Sequence, residues 1–207
     1  MALLSAMLVA CGDSPAATPP VANVITQPAS RSTTPANAGA PANAGEIILA
    51  AINTLDSNGP YRMRITSNLD TSPIEMLIVP PDRTHYKSSY EGKPVEIIGI
   101  GDTSYVLDDD GTWLTSTAET GSVSEPSVLQ PSAATDLTNI QSLGTQIING
   151  VNAVGYSFID VALPDETTTL WINPDGAPIQ IGTSSAQENL TFNIEYDPGI
   201  TVEAPVK

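Results

Sequence analysis

Alternation of apolar and polar residues with a period of two is the feature that most constrains this fold. The stretches 61–65 and 190–196 show it most clearly. Such alternation predicts strands with one face buried and the other in solvent. Turn-forming pairs such as Asn149-Gly150 and Asp175-Gly176 stand between further strand candidates, so neighbouring strands are expected to pair as hairpins. The sequence therefore predicts an antiparallel β-meander.

Two segments interrupt this alternation and predict helices. Residues 47–55 place apolar side chains at helical spacing and end at Asn58-Gly59-Pro60. Residues 133–143 carry three apolar residues, spaced three apart, that share one face of a helix. The predicted fold class is α+β and mainly β, with one sheet of about ten antiparallel strands, which is large enough to curl, and two helices.

The N-terminal residues 1–10 form an apolar run that ends at Cys11. A membrane span needs about 20 apolar residues, so this run fits the core of a signal peptide instead. Leu8–Cys11 resembles the bacterial lipobox, in which the cysteine receives acyl chains such as palmitate. Cys11 is the only cysteine, so it has no internal disulfide partner. We predict a leader over residues 1–11 and lipidation of Cys11; the alternative is a chance apolar start with a free thiol.

Residues 12–44 are rich in Pro, Ala, Ser and Thr and contain little that could build a core. This composition predicts a disordered tether between the anchor and the folded part. A flexible tether of this length reaches roughly 30 Å on average. The expected organisation is a leader (1–11), a tether (12–44) and one folded domain (45–207).

The charge of the chain argues against nucleic acid as a partner, and the position of its basic residues suggests a contact with lipid headgroups. The chain has 23 acidic and 7 basic residues, for a net charge of −16, which argues against binding nucleic acid. Five of the bases lie between residues 62 and 93. One hypothesis is that Arg62 and Arg64 contact phosphate headgroups at the mouth of a cavity. The alternative is cross-strand pairing with the abundant acids.

Residues with catalytic or metal-binding chemistry are few. His85 is the only histidine, and no nucleophile-elbow pattern accompanies it. No glycine-rich loop that could cradle a phosphate occurs. Asp108-Asp109-Asp110 precedes Gly111 without the spacing of an EF-hand, which predicts a hairpin turn rather than a calcium site. We expect no enzymatic activity, no cofactor and no metal.

Nine short motifs recur in a characteristic order and spacing across residues 45–205. They are Tyr61–Arg64, Val79–Arg83, Gly101–Val106, Gly111–Trp113, Ile148–Val151, Tyr156–Phe158, Leu170–Ile172, Gly176–Ile179 and Val202–Pro205. Their order and spacing resemble the LolA-like superfamily of lipoproteins, and within it the LppX/LprG type. This resemblance implies an open, curved antiparallel half-barrel with helices across its concave face. It also implies a hydrophobic cavity, which in several members of that family holds acyl chains or lipidated cargo.

The expected function is that of a monomeric, membrane-anchored lipoprotein on the extracytoplasmic face of the bacterial envelope, which binds a lipid or lipidated molecule. The alternative is a non-enzymatic interaction or sensory module. The sequence also leaves open whether the inward-facing residues line a cavity or fill a solid core. The candidate lining residues are Met63, Ile65, Met76, Ile78, Ile97, Phe158, Ile172, Phe192 and Ile194.

Overall fold

The structure is a computed structural model that describes residues 40–70, 72–117 and 131–205. The predicted leader, Cys11 and almost all of the predicted tether lie outside the described residues. The described chain begins with one α-helix, α1 (Ala44–Asn53), and has short 3-10 turns at Asp56–Asn58 and Ala134–Asp136. The strands are β1 Tyr61–Ser67, β2 Ile74–Val79, β3 Arg83–Tyr90, β4 Lys93–Ile100, β5 Thr103–Leu107, β6 Trp113–Thr117, β7 Leu137–Ile148, β8 Val151–Asp160, β9 Thr167–Ile172, β10 Pro178–Ser184 and β11 Asn189–Tyr196.

All eleven strands form one antiparallel sheet. Its order is β6-β5-β4-β3-β2-β1-β11-β10-β9-β8-β7, so among the described residues the sheet is open and has β6 and β7 at its edges. In this part of the chain, the one pairing between strands distant in sequence joins β1 to β11, with Met63 opposite Ile194. The predicted antiparallel, mainly β architecture is confirmed.

The two faces of the sheet differ in chemistry. The core face carries Met63, and the polar face carries its neighbour Arg62, as alternation along a strand requires. Helix α1 packs on the core face, where Ile48 is fully buried. Burial of each large aliphatic side chain contributes about 1.5–3 kcal/mol. The core cluster consists of Ala44, Ile48, Ala51, Tyr61, Met63, Ile65, Met76, Ile78, Leu137, Tyr156, Phe158, Leu170, Ile172, Ile181, Phe192 and Ile194.

A second, smaller cluster forms around the end of the β7–β8 hairpin. Ile148 and Ala153 from the hairpin are buried together with Ile179, and Trp171 packs against them. The turn is the predicted Asn149-Gly150 pair, and both residues have positive φ, 51° and 83°. Positive φ at both positions is what a two-residue type I′ turn requires.

The helix predicted over residues 133–143 is wrong. This segment is a 3-10 turn followed by the first half of β7. Leu137 and Ile140 both pack with the core cluster although three residues separate them, because the β7–β8 register shifts between Thr138 and Gln141. A second shift lies between Ser142 and Gly144. Such bulges replace the period of two with a spacing that resembles a helix.

The segment after β11 has no regular secondary structure through residue 205, but it is held against the sheet. Ile200 and Val202 are buried, and the Val202 carbonyl accepts a hydrogen bond from Nη1 of Arg83 at 2.9 Å. The Arg83 side chain therefore helps to hold the C-terminal segment against the sheet.

Candidate functional site

A row of apolar side chains crosses the core face from its buried centre to an open edge. Met76 on β2 lies opposite Tyr86 on β3, and Tyr86 lies opposite Ile97 on β4. The row continues through Val106 on β5 to Leu114 on β6. We call Tyr86, Ile97, Val106 and Leu114 the apolar strip.

Exposure rises steadily along this row. Met76 is 1% exposed, whereas Val106 is 38% exposed and Leu114 is 53% exposed. Tyr86 marks the border, because it still packs against the core cluster while being only half-buried. Helix α1 contacts β7 and the 3-10 turn before it, on the opposite side of the core face. The apolar strip is therefore an accessible continuation of the protein core.

Polar contacts hold the strands of the strip together at one end. Lys93, at the start of β4, forms an ion pair with Asp109 in the β5–β6 turn, with 2.6 Å between Nζ and Oδ2. That turn is the predicted Asp108–Gly111 hairpin. Hydrogen bonds from Thr112, from its side chain and then its backbone, lower the pKa of Asp110. The carboxylates of Asp109 and Asp110 thus stabilise the hairpin turn.

The nine candidate lining residues are divided between core and strip. Eight of them pack against one another in the core cluster. Ile97 lies outside that cluster, half-buried, as the second member of the apolar strip. The eight in the core are Met63, Ile65, Met76, Ile78, Phe158, Ile172, Phe192 and Ile194.

Sequence reasoning did not single out the other members of the strip. Tyr86, Val106 and Leu114 each sit on a strand that alternation predicts, but their common face depends on register. Counting outward from the Asp108–Thr112 turn would have paired Val106 with Leu114. This pairing was the signal in the sequence that could have identified the outer part of the apolar strip.

The two arginines proposed as headgroup contacts lie on the polar face. Nη1 of Arg62 is 3.3 Å from Oε2 of Glu195, and Nη2 of Arg64 is 3.3 Å from Oε2 of Glu75. Both acids are on strands next to β1, so the pairs are cross-strand pairs. The arginines are thus separated from the apolar strip by the thickness of the sheet.

Side chains of catalytic type show no catalytic arrangement in the described part of the chain. Nε2 of His85 is 3.2 Å from Oε2 of Glu96 on the neighbouring strand. Within residues 40–70, 72–117 and 131–205, no group of three His, Cys, Asp or Glu side chains is placed to hold a metal ion. We therefore interpret His85 as one partner of a cross-strand pair with Glu96.

One aromatic pair closes the core beside the end of α1. The rings of Tyr61 and Tyr196 have centroids 5.7 Å apart, and the Tyr61 hydroxyl donates to Oδ1 of Asp56 at 3.1 Å. Burial, reinforced by the negative charge of Asp56, raises the pKa of Tyr196 to about 12. This pair fixes the start of β1 against the end of β11.

An open antiparallel sheet with an N-terminal helix on one face defines the class of fold. The chain is similar in structure to LprF from Mycobacterium bovis, with a TM-score of 0.61 and 15% identity over 82% of this chain and 100% of that one. It is also similar to the lipoprotein LppX of Mycobacterium tuberculosis, with a TM-score of 0.56 and 16% identity over 77% and 97% of the two chains. The resemblance to LppX/LprG-type lipoproteins is confirmed at the level of the fold.

A third similar structure is that of a complex between two proteins. The structure of MucA and MucB from Pseudomonas aeruginosa matches with a TM-score of 0.51 and 14% identity, over 76% of this chain and 59% of that one. No family model and no curated protein matches the chain. In the part that the structure describes, no helix has the length and apolar character needed to cross a membrane.

Proposed function

We propose that the protein is a membrane-anchored envelope lipoprotein that binds an acyl chain on the apolar strip. The observation that carries the proposal is the gradient of exposure from Met76 to Leu114 along one continuous apolar row. Isolated exposed apolar residues are ordinary on a protein surface, but a contiguous apolar patch marks a binding surface. The shared fold with the lipoprotein LppX supports the proposal that this protein is a lipoprotein.

The dimensions of the strip suit part of an acyl chain. Its four strands span about 14 Å, because neighbouring strands lie about 4.8 Å apart. Removal of a methylene from water contributes about 0.8 kcal/mol. A chain on an open surface buries roughly half of its circumference, so ten methylenes would contribute about 4 kcal/mol before the cost of association. Of the nine residues proposed to line the lipid site, Ile97 is the one on this surface.

A matched pair of variants tests the strip. Val106→Asp places a carboxylate on the strip, and Val161→Asp places one at an apolar residue of 53% exposure beyond the end of β8. The background is the full chain with Cys11→Ser, which cannot be acylated. We expect Val106→Asp to weaken binding of dansyl-labelled undecanoic acid about tenfold, because the charge must be desolvated, and Val161→Asp to leave it unchanged. Equal affinities of the two variants would refute the acyl-chain proposal.

The anchor is tested separately. Acylation of Cys11 would hold the protein at the membrane, and the net charge of −16 gives the folded part no attraction to anionic headgroups. We expect Cys11→Ser to move the protein from the membrane fraction to the soluble fraction of expressing cells. An unchanged distribution would contradict lipid anchoring.

Protein interaction is a second candidate function, and one observation favours it. Eight of the nine predicted lining residues pack in the core, while Leu114 and Val106 remain exposed, and this arrangement also suits docking of a partner protein. Absence of fatty-acid binding, together with cross-links to an envelope protein that Val106→Asp abolishes, would favour this function over lipid binding.

A further inference from the structure

The polar face contains an open pocket of about 590 Å³ that is separate from the apolar strip. Its base is formed by β1 and β11, and the β7–β8 hairpin contributes residues 148, 149 and 151 to its lining. Burial of Ile148 against Ile179 holds the hairpin there. Small-molecule sites are commonly of this size, about 300–1,000 Å³.

Hydrogen-bond donors are in excess in this pocket. The Nε of Arg62 is buried and faces Oε2 of Glu75 at 3.7 Å, so the nitrogen that Arg62 brings to the pocket is Nη1, beside the pocket-lining Glu195. The Asn193 carbonyl accepts from Gln180 at 2.9 Å, so its NH₂ group is left to donate. The side-chain carbonyl of Asn173 (Oδ1) already accepts the backbone N–H groups of residues 175 and 177. A fitting ligand must therefore supply acceptors.

The arginines of the pocket are held by two acids of different placement. Glu195 is part of the lining, whereas Glu75 pairs with both arginines from outside it, so removal of Glu195 from its pair leaves the lining with two cations. The Glu195 side chain is 70% exposed and contacts Arg62 at 3.3 Å. An exposed ion pair of this kind is weak because solvent screens it, so an incoming anion can displace the Glu195 carboxylate. Arg62 would then present its terminal nitrogens Nη1 and Nη2 to two oxygens of one ligand.

Apolar side chains occupy the rest of the lining. Ile148 and Val151 come from the hairpin, and Ile179 comes from β10. They lie in the same pocket as the guanidinium groups, so a ligand with an anionic head and a short apolar part would satisfy both. We propose that this pocket binds an amphiphilic oxyanion, a phosphate or carboxylate carrying a short hydrocarbon group, with Arg62 as the principal contact. This inference goes beyond the proposed function, because it concerns the opposite face of the sheet.

Hexyl phosphate is the probe that tests the pocket, again with the full chain carrying Cys11→Ser. We expect it to shift the NMR resonances of the Arg62 guanidinium and the Asn193 side-chain amide. Arg62→Gln should weaken binding about tenfold or more, and Arg62→Lys should do the same, because lysine keeps the charge but not the paired donors. Glu195→Gln should tighten binding about two- to fivefold by removing the competing carboxylate.

Charge-matched controls lie outside the pocket. Lys93→Gln removes one positive charge and Asp109→Asn removes one negative charge from a surface pair that does not line it. Equal effects of Arg62→Gln and Lys93→Gln, with unchanged thermal unfolding, would show a general charge effect and overturn the proposal. If inorganic phosphate bound as tightly as hexyl phosphate, the proposal that the ligand carries a hydrocarbon group would be overturned.

Two further measurements separate the sources of the ligand and the two faces. Binding to phosphatidylglycerol vesicles that Arg62→Lys abolishes would assign the anion to a lipid headgroup, and binding of hexyl phosphate without vesicle binding would assign it to a soluble ester. Val106→Asp should leave hexyl phosphate binding unchanged, so failure of the acyl-chain proposal remains distinguishable from failure of this one.

Discussion

Replacement of Gly155 by alanine tests the packing of the polar face. Gly155 on β8 lies directly opposite Trp171 on β9, and the indole ring lies over the glycine. A Cβ atom at residue 155 would be 2.5 Å from Cζ3 of Trp171 and 2.7 Å from two further ring atoms. Carbon atoms in contact are normally about 3.5–4.0 Å apart, so the ring must move by about 1 Å.

The magnitude follows from what surrounds the ring. Trp171 packs against the cluster of Ile148, Ala153 and Ile179, which limits its movement. Overpacking of this kind costs about 1–3 kcal/mol, and replacing a strand glycine returns about 0.5–1 kcal/mol. We therefore expect Gly155→Ala to lower the free energy of unfolding by about 1 kcal/mol, and by no more than about 2.5 kcal/mol, as measured by urea denaturation followed by circular dichroism.

A double-mutant cycle supplies the refuting result. In a Trp171→Leu background the clash is gone, so Gly155→Ala should be neutral or stabilising. Gly182→Ala is the matched control, because its Cβ would meet Oγ1 of Thr169 at 2.5 Å, an atom that rotation about χ1 can move away. An equal loss of stability for Gly155→Ala with and without the indole would refute the reasoning.

Three further predictions concern the core, the hairpin and alkaline pH. Ile48→Ala should cost about 2–5 kcal/mol in urea unfolding, because Ile48 is fully buried, whereas Ile147→Ala, at 70% exposure, should cost less than about 0.5 kcal/mol. Gly150→Ala should cost about 1–2 kcal/mol, because φ is 83° there, and a loss below the error of thermal unfolding would contradict it. The raised pKa of Tyr196, about 12 against an unfolded value of about 10, means that its contribution to stability is complete below pH 10 and is lost as the pH rises towards 12. Tyr196→Phe should flatten this alkaline loss in urea titrations, and identical pH profiles for the two proteins would contradict the assignment.

Local pattern was sufficient for much of the sheet. Alternation over 61–65 and the Asn149-Gly150 turn predicted β1 and the β7–β8 hairpin, because both signals act within a few residues. The first half of β7 was missed for a physical reason. Asn139 has a φ of 53°, and the register shift around it, between Thr138 and Gln141, moves Leu137 and Ile140 to the same face.

The candidate sites depend on relations that a single sequence does not contain. Leu114 belongs with Met76 only because four consecutive strand pairings align them. The polar pocket depends on a hairpin that lies near β1 in space but is separated from it by three strands in the sheet. The basic character of Arg62 and Arg64 was visible in the sequence, whereas their place on the face opposite Met63 follows from the pleat.

Photo-cross-linking tests the acyl-chain site most directly. A fatty acid with a diazirine near its methyl end is bound to the full chain carrying Cys11→Ser, irradiated and mapped by peptide mass spectrometry. We expect label on β4, β5 and β6 that excess unlabelled fatty acid removes and that Val106→Asp reduces. Label confined to residues 147–163, which carry other exposed apolar side chains, would contradict an acyl-chain site on the apolar strip. Label that unlabelled fatty acid does not displace would contradict it as well.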